Sequence, residues 1–291
     1  MENVDMSSSS PSAWFAGRSV AIASMHHKER VIAPLLSAQL KVNPFVCALD
    51  TDQFGTFTRD IKRLGTQIET ARRKAQAALA LTGVDLAIAS EGSFFPHPDA
   101  PWLGCNREIV LLIDQKNQLE WLGQTLSERT NHQNQRVTSW PEALAFAETI
   151  GFPDHGLVVF RRSASQGEQI LAKGLTSESA LCQALESALA QNPGEIYLET
   201  DMRALYNPTR MAIIEQATQN LLETLQCFCP SCHCPGFTVQ KREAGLPCAW
   251  CGGPTALIQT EIYGCQRCDC QQTREVNPSF ADPMYCCACN P

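Results

Sequence analysis

No stretch of this chain reaches the run of about 18 apolar residues that a bilayer-crossing helix needs, so no membrane span is expected. The opening residues, MENVDMSSSSPSAW, lack the basic and apolar segments of a secretory signal, and residues 1–14 read instead as a disordered leader. Positive charge is not in excess. With 23 Lys and Arg against 30 Asp and Glu the net charge is −7, which argues against a general nucleic-acid binder and leaves room for a local basic pocket. No internal repeat is visible in the first three quarters of the chain. Without a secretory signal a disulfide framework is a poor explanation of the 15 cysteines, and reduced thiols in a cytoplasmic protein are the expectation.

What the chain does have is a crowded C-terminus. Twelve of its fifteen cysteines lie between Cys227 and Cys289. The pairs Cys229/Cys232 and Cys248/Cys251 are separated by 15 residues, and Cys265/Cys268 and Cys286/Cys289 by 17. Each C-x-x-C turn aims two thiolates at one tetrahedral ion, so residues 227–291 are expected to form tandem zinc ribbons with two closed, structural sites. Consecutive pairing is the first expectation and interleaved pairing the alternative; iron–sulfur ligation would use the same ligands. Gly252-Gly253 supplies the positive φ that such turns use. Cys227, His233, Cys234, Cys270 and Cys287 are left over as spare thiols or close neighbours. The tail carries four Lys and Arg against five Asp and Glu, so it has no basic footprint and is expected to buttress the α/β domain or meet a protein partner rather than nucleic acid.

Residues 15–226 alternate strand and helix patterns. Ser19–Ser24, Pro44–Leu49, Asp85–Ala89 and Glu195–Leu198 read as buried strands, and Glu108–Asp114 with Leu119–Leu126 as an antiparallel pair. Ile68, Ala71, Ala75, Ala78 and Leu79 share one face at helical period, with Thr66 and Glu69 spaced as a capping box. Helices are also expected over Trp140–Ile150 behind Ser139, over Ser177–Gln191, and from Asn207-Pro208 through Leu225. The expected fold is α/β: a mixed, largely parallel sheet with helices on both faces, plus the small zinc-ribbon domain.

Four polar clusters each follow an expected buried strand: His26-His27-Lys28, Asp50-Thr51-Asp52, Ser90-Glu91-Gly92-Ser93 in a glycine-broken loop, and Thr200-Asp201-Met202-Arg203. If the strands are parallel neighbours, the clusters meet along the edge where open α/β sheets bind ligands. Carboxylates there suit Mg²⁺ bound together with substrate phosphates, and lysine, arginine and helix N-termini suit the phosphates themselves. Duller roles stand beside these. Glu69 can simply close its capping box, Asp50 or Asp52 can be a turn aspartate, His97 and His155 can be structural, and Arg72-Arg73-Lys74 can be a solvated face.

The set MHHKE, DTDQFGTFT, ASEGSFFPHP, TDMRALYNPTRM and the cysteine-rich tail resembles a bacterial family of unassigned activity. Residues 19–95 also resemble inosine/xanthosine triphosphate pyrophosphatases and their Maf-like relatives, which cleave non-standard nucleoside triphosphates with Mg²⁺. Ala23-Ser24-Met25-His26-His27-Lys28 approximates their first motif, and Glu69-Thr70-Ala71-Arg72-Arg73-Lys74-Ala75 echoes their helix motif. Ser90-Glu91-Gly92-Ser93 falls on their acidic loop, with a single carboxylate. The resemblance implies that Lys28 and Lys74 contact phosphates and that Glu69 and Glu91 hold Mg²⁺. The combined expectation is a Mg²⁺-dependent hydrolase of a nucleotide or related phosphorylated metabolite. In it Lys28, Lys74, Arg203 and Arg210 neutralise phosphate, and Asp50 or Asp52 activates water alongside Glu91. The alternative is a non-enzymatic anion- or nucleotide-sensing domain whose zinc ribbons dock a protein or RNA partner.

Overall fold

Ser19–Ala23 (SVAIA) is short, rich in β-branched and small residues, and buried from Val20 onward, as a strand with neighbours on both sides must be. It is β1 of a computed structural model that describes residues 10–56, 61, 63–97, 100–163, 167–190 and 194–290. Ahead of it lies α1 (Ser12–Phe15); after it come α2 (Glu29–Leu40), β2 (Asn43–Val46), α3 (Gln67–Thr82), β3 (Leu86–His97), β4 (Ala100–Asp114) and β5 (Leu119–Ser127). Next are β6 (Asn134–Arg136), α4 (Trp140–Ile150), β7 (Leu157–Ser163), β8 (Gly167–Leu175), α5 (Glu178–Ala190), β9 (Glu195–Thr200) and α6 (Pro208–Leu225). The tail adds β10 (Thr238–Ala244), β11 (Ile258–Gly264) and β12 (Gln271–Glu275). Residues 1–9 of the expected leader, Phe57 and Thr58 of the second motif, residues 98–99 and Gln191 lie outside the described residues.

The chain divides into two compact units, one of Ala16–Leu221 and one of Met1–Phe15 with Leu222–Pro291. In the larger unit β1 pairs in parallel with β2 and with β3, while β3–β4 and β4–β5 are antiparallel, giving the order β2-β1-β3-β4-β5. The expectation of one largely parallel sheet is thereby corrected. Two of its four pairings are parallel and both involve β1, because the short β3–β4 and β4–β5 connections permit hairpins and no crossover. β2 is corrected too: it is an edge strand with Phe45 and Val46 exposed, and it stops at Val46.

The sheet's two faces are covered differently. On one, Ala71, Ala75 and Ala78 of α3 are wholly buried, and Ala75 and Ala78 pack on Ala21, Ala23, Ala87 and Ala89, a small-on-small contact that brings helix and strands close. On the other, a Cβ at Gly123 of β5 would meet the Ala217 carbonyl and the Leu221 amide of α6, so only glycine lets that helix lie so near the strand. α2 is tied to α6 through Gln39 Nε2 donating to Gln219 Oε1 at 3.0 Å. Helices therefore lie on both faces.

β9 was expected to complete the same sheet and does not. It sits in a second, wholly antiparallel sheet of order β6-β9-β7-β8, whose core of Phe146, Ile150, Val159, Leu181 and Leu198 is closed by α4 and α5. In the smaller unit, β10, β11 and β12 form an antiparallel sheet. Ser12–Phe15, which begins inside the stretch read as a disordered leader, makes one helical turn; Phe15 is buried and the Trp14 ring lies 5.3 Å from the Arg267 guanidinium.

Candidate functional site

β1 ends at Ala23 beside Ala89, whereas β3 runs on to His97 with β4 as its partner. Ser90–Ser93, expected in a glycine-broken loop, is thus strand, with Glu91 opposite Ile109 and Gly92 opposite Glu108. Its polarity reflects what it faces. Past the end of β1 this part of β3 forms one wall of a cavity of about 290 Å³. His26 and Lys28 reach the cavity from behind β1, Thr51 and Asp52 from behind β2, and Lys74 from α3. Glu199, Met202 and Arg203 arrive from the end of β9 and His132 from the segment before β6. Each of the four strand-end clusters contributes to this one cavity, although the fourth belongs to a different sheet.

Lys28 is 6% exposed, and its ammonium donates to the Ser90 carbonyl at 3.2 Å. Burial pulls its pKa down to about 7; Arg210 and Lys74 push the same way, and Glu108 and Glu91 oppose. Lys74 Nζ donates to Glu91 Oε2 at 2.7 Å, while Arg63 Nη1 donates to Glu91 Oε1 at 3.3 Å and to the Gly92 carbonyl at 3.0 Å. Burial alone would raise the Glu91 pKa, but the charges of Lys74 and Lys28 outweigh it and hold the carboxyl below its usual value. His26 Nε2 lies 3.1 Å from Asp52 Oδ1. Burial and then the Lys28 charge lower the His26 pKa to about 4, so the imidazole is neutral at pH 7. Arg203 forks onto Asp201 at 3.0 and 2.6 Å.

Three expected site residues are placed elsewhere. Asp50 is exposed, does not line the cavity, and accepts the Asp52 amide at 3.0 Å as a turn aspartate. Glu69 is exposed at the start of α3, where it accepts the Thr66 amide at 2.7 Å and closes the capping box; it does not line the cavity. Arg210 is 1% exposed beneath the wall, with Nε donating to Glu108 Oε1 at 2.7 Å and Nη1 to the Met202 carbonyl at 2.5 Å. It does not line the cavity. A Cβ on Gly92 would strike both Glu108 and Arg210, so that glycine lets the wall lie directly on the buried pair.

The sequence reading missed Arg63, Gln67, Glu108, His132 and Glu199. Gln67 Nε2 donates to the Glu91 and Arg107 carbonyls at 2.7 Å each, fixing the β3 and β4 backbones where the wall begins. Arg63 precedes α3 in a stretch without periodicity, and nothing in its spacing marks it. Among the described residues, no group of three His, Cys, Asp or Glu side chains converges at the cavity closely enough to share an ion.

Such groups do occur in the smaller unit. Cys229, Cys232, Cys265 and Cys268 form one, and Cys248, Cys251, Cys286 and Cys289 the other, all ligand atoms within 4.8 Å of one another. The pairing is interleaved, which corrects the expectation of consecutive ribbons. β11 leads into Cys265 alongside the start of β10, so the third C-x-x-C turn meets the first; the second and fourth meet at the other end of the sheet. Sulfur–sulfur distances of 3.7 and 3.5 Å in one group and 3.9 and 3.6 Å in the other match the roughly 3.8 Å edge of a tetrahedron with 2.3 Å Zn–S bonds. The Arg267, Trp250 and Gly253 amides point at Cys265, Cys248 and Cys251 sulfurs at 3.3 to 3.4 Å, the turn geometry that steadies thiolates. Both groups fit a closed structural zinc site. Cys227, His233, Cys234, Cys270 and Cys287 stand outside them.

Residues 74–291 match a family described as a domain of unknown function, DUF6671, a span that includes Lys74, Glu91, Arg203 and all eight clustered cysteines. No curated protein matches the chain.

Proposed function

The chain belongs to the DUF6671 family, and from that premise we propose that its cavity binds the phosphate of a small phosphorylated metabolite, a nucleotide or related compound, and hydrolyses it with Mg²⁺ carried in on the phosphates. One observation carries the reading. Lys28 is a buried amine on the cavity wall whose ammonium, among the described residues, donates to the Ser90 carbonyl and has no ion-pair partner, and it stands among Lys74, Arg63 and Arg203. A buried cation so placed is stabilised by an incoming anion. Phosphate oxygens would replace Glu91 as the partner of Lys74 and Arg63, and the released Glu91 carboxylate would take a place on the metal. The neutral His26 imidazole, oriented by Asp52, would receive the proton of the attacking water.

A second reading is an anion- or nucleotide-sensing domain without turnover, its cysteine-rich unit serving a protein partner. It is favoured by the engagement of Glu91 with two cations and by the lack of a three-ligand group at the cavity among the described residues.

A panel of nucleoside mono-, di- and triphosphates and sugar phosphates with Mg²⁺ separates the readings, with phosphate and pyrophosphate release followed beside calorimetry. Release lost in both Lys28→Met and Glu91→Gln supports the hydrolase. Binding that Lys28→Met weakens at least tenfold, with ligand recovered intact, supports the sensor. Neither heat nor release from any member overturns both. Because the phosphate would bind the protonated ammonium, affinity is expected to fall as pH rises through about 7.

A further inference from the structure

The amine of Lys28 has a second use that phosphate binding does not exhaust. Lys74 is held by Glu91, Arg63 and Arg203 carry no nucleophilic nitrogen at ordinary pH, and the imidazoles of His26 and His132 cannot form a C=N bond, so Lys28 is the primary amine on this wall suited to imine formation. Among the described residues its amine donates one hydrogen, to the Ser90 carbonyl, and it opens on a space large enough for a small molecule. We infer that Lys28 is an imine-forming lysine whose substrates are small aldehydes or ketones bearing an anionic group. The inference rests on the anion-binding half of the reading above and goes beyond its chemistry.

The groups facing this amine come from four elements. Burial is the largest influence against its charge, Arg210 on α6 and Lys74 on α3 add to it, and Glu108 on β4 and Glu91 on β3 oppose. With a pKa of about 7 against 10.5 for an ordinary lysine, about half of Lys28 is neutral at pH 7, a neutral fraction roughly 10³-fold above that of a surface lysine. Crowding by another cation and by apolar walls is how lysine nucleophiles are activated. In the step itself the neutral Nζ attacks the carbonyl carbon and the carbonyl π pair moves to oxygen. The carbinolamine then loses that oxygen as water with both amine protons, leaving a C=N bond to Lys28. No oxidant or reductant is needed. Lys74, Arg63 and Arg203 supply the charge that holds the anionic end while the carbonyl is presented.

Pyridoxal 5′-phosphate, an aldehyde with a phosphate, is a suitable probe on the full-length protein, with borohydride reduction and peptide mapping at several pH values. The expected result is an adduct on Lys28 that forms at least about tenfold faster than on exposed Lys41 or Lys116. Its rate should rise through about pH 7, and Lys28→Met should abolish it. Adducts spread over surface lysines with Lys28 unmodified, or labelling indifferent to Lys28→Met, overturn the inference. Inorganic phosphate and unphosphorylated pyridoxal keep the two ideas apart. Competition by phosphate and slower trapping of pyridoxal support the anionic substrate class. Trapping at Lys28 that ignores phosphate keeps the amine's chemistry and removes the phosphate site. Heat from phosphate binding without any Lys28 adduct removes the amine's chemistry alone.

Discussion

Glu108 and Arg210 show how much of the cavity depends on side chains that never reach it. The pair is 0 and 1% exposed, lies under Gly92, and sets part of the field at Lys28 and, through Arg210, at His26. A charge left alone at such depth is costly. Arg210→Met is expected to lose about 3–5 kcal/mol of stability in urea unfolding, and a double replacement with Glu108→Leu to recover a good part of it. Gly92→Ala should also destabilise, by about 1–3 kcal/mol, because its methyl would displace that pair. His26 gives a pH signature. Its folded pKa of about 4 lies below the 6.5 of a free imidazole, so above pH 6.5 neither state binds a proton and the residue contributes no slope. Between 6.5 and about 4 only the unfolded chain is protonated, and stability should fall by up to about 3 kcal/mol, then level off. The difference between wild type and His26→Gln, measured by denaturation across that window, isolates it.

At the scale of elements, the boundary of α3 was legible because its signals are local. Thr66 caps it, Glu69 closes the box, and alanines fall on one face, as observed. Thr66→Ala should cost about 1 kcal/mol. Glu69 drew two readings, the capping box that its side chain closes and the metal site that a motif resemblance implies; with the side chain outside the cavity lining, Glu69→Ala should leave ligand affinity at wild-type level. Strand membership was not legible. Whether Glu195–Thr200 pairs with β3 or with β7 depends on contacts distant in sequence, and nothing within the segment records them. The outer half of β3 looked like loop because alternation reads core against solvent and has no symbol for a polar cavity. For the cysteines, spacing identified the C-x-x-C turns but not which turn meets which. Gly123→Val tests a contact that sequence gave no hint of. A side chain there meets the α6 backbone, so thermal stability should drop sharply, with α6 amides losing exchange protection first.

For the whole molecule, metal content is the strongest expectation. Purified protein should carry two zinc ions per chain, and a chelator should unfold the smaller unit. The interleaving makes a sharper test by elemental analysis. Cys229→Ser with Cys268→Ser should remove one ion, whereas Cys229→Ser with Cys248→Ser should remove both; consecutive pairing predicts the reverse. The same crossing has a topological result. A single backbone cut anywhere from residue 233 to residue 285 leaves at least one four-cysteine group with members on both sides of the cut. Protease-nicked protein should therefore migrate as one body until the zinc is stripped, like a page torn between two rings of a binder.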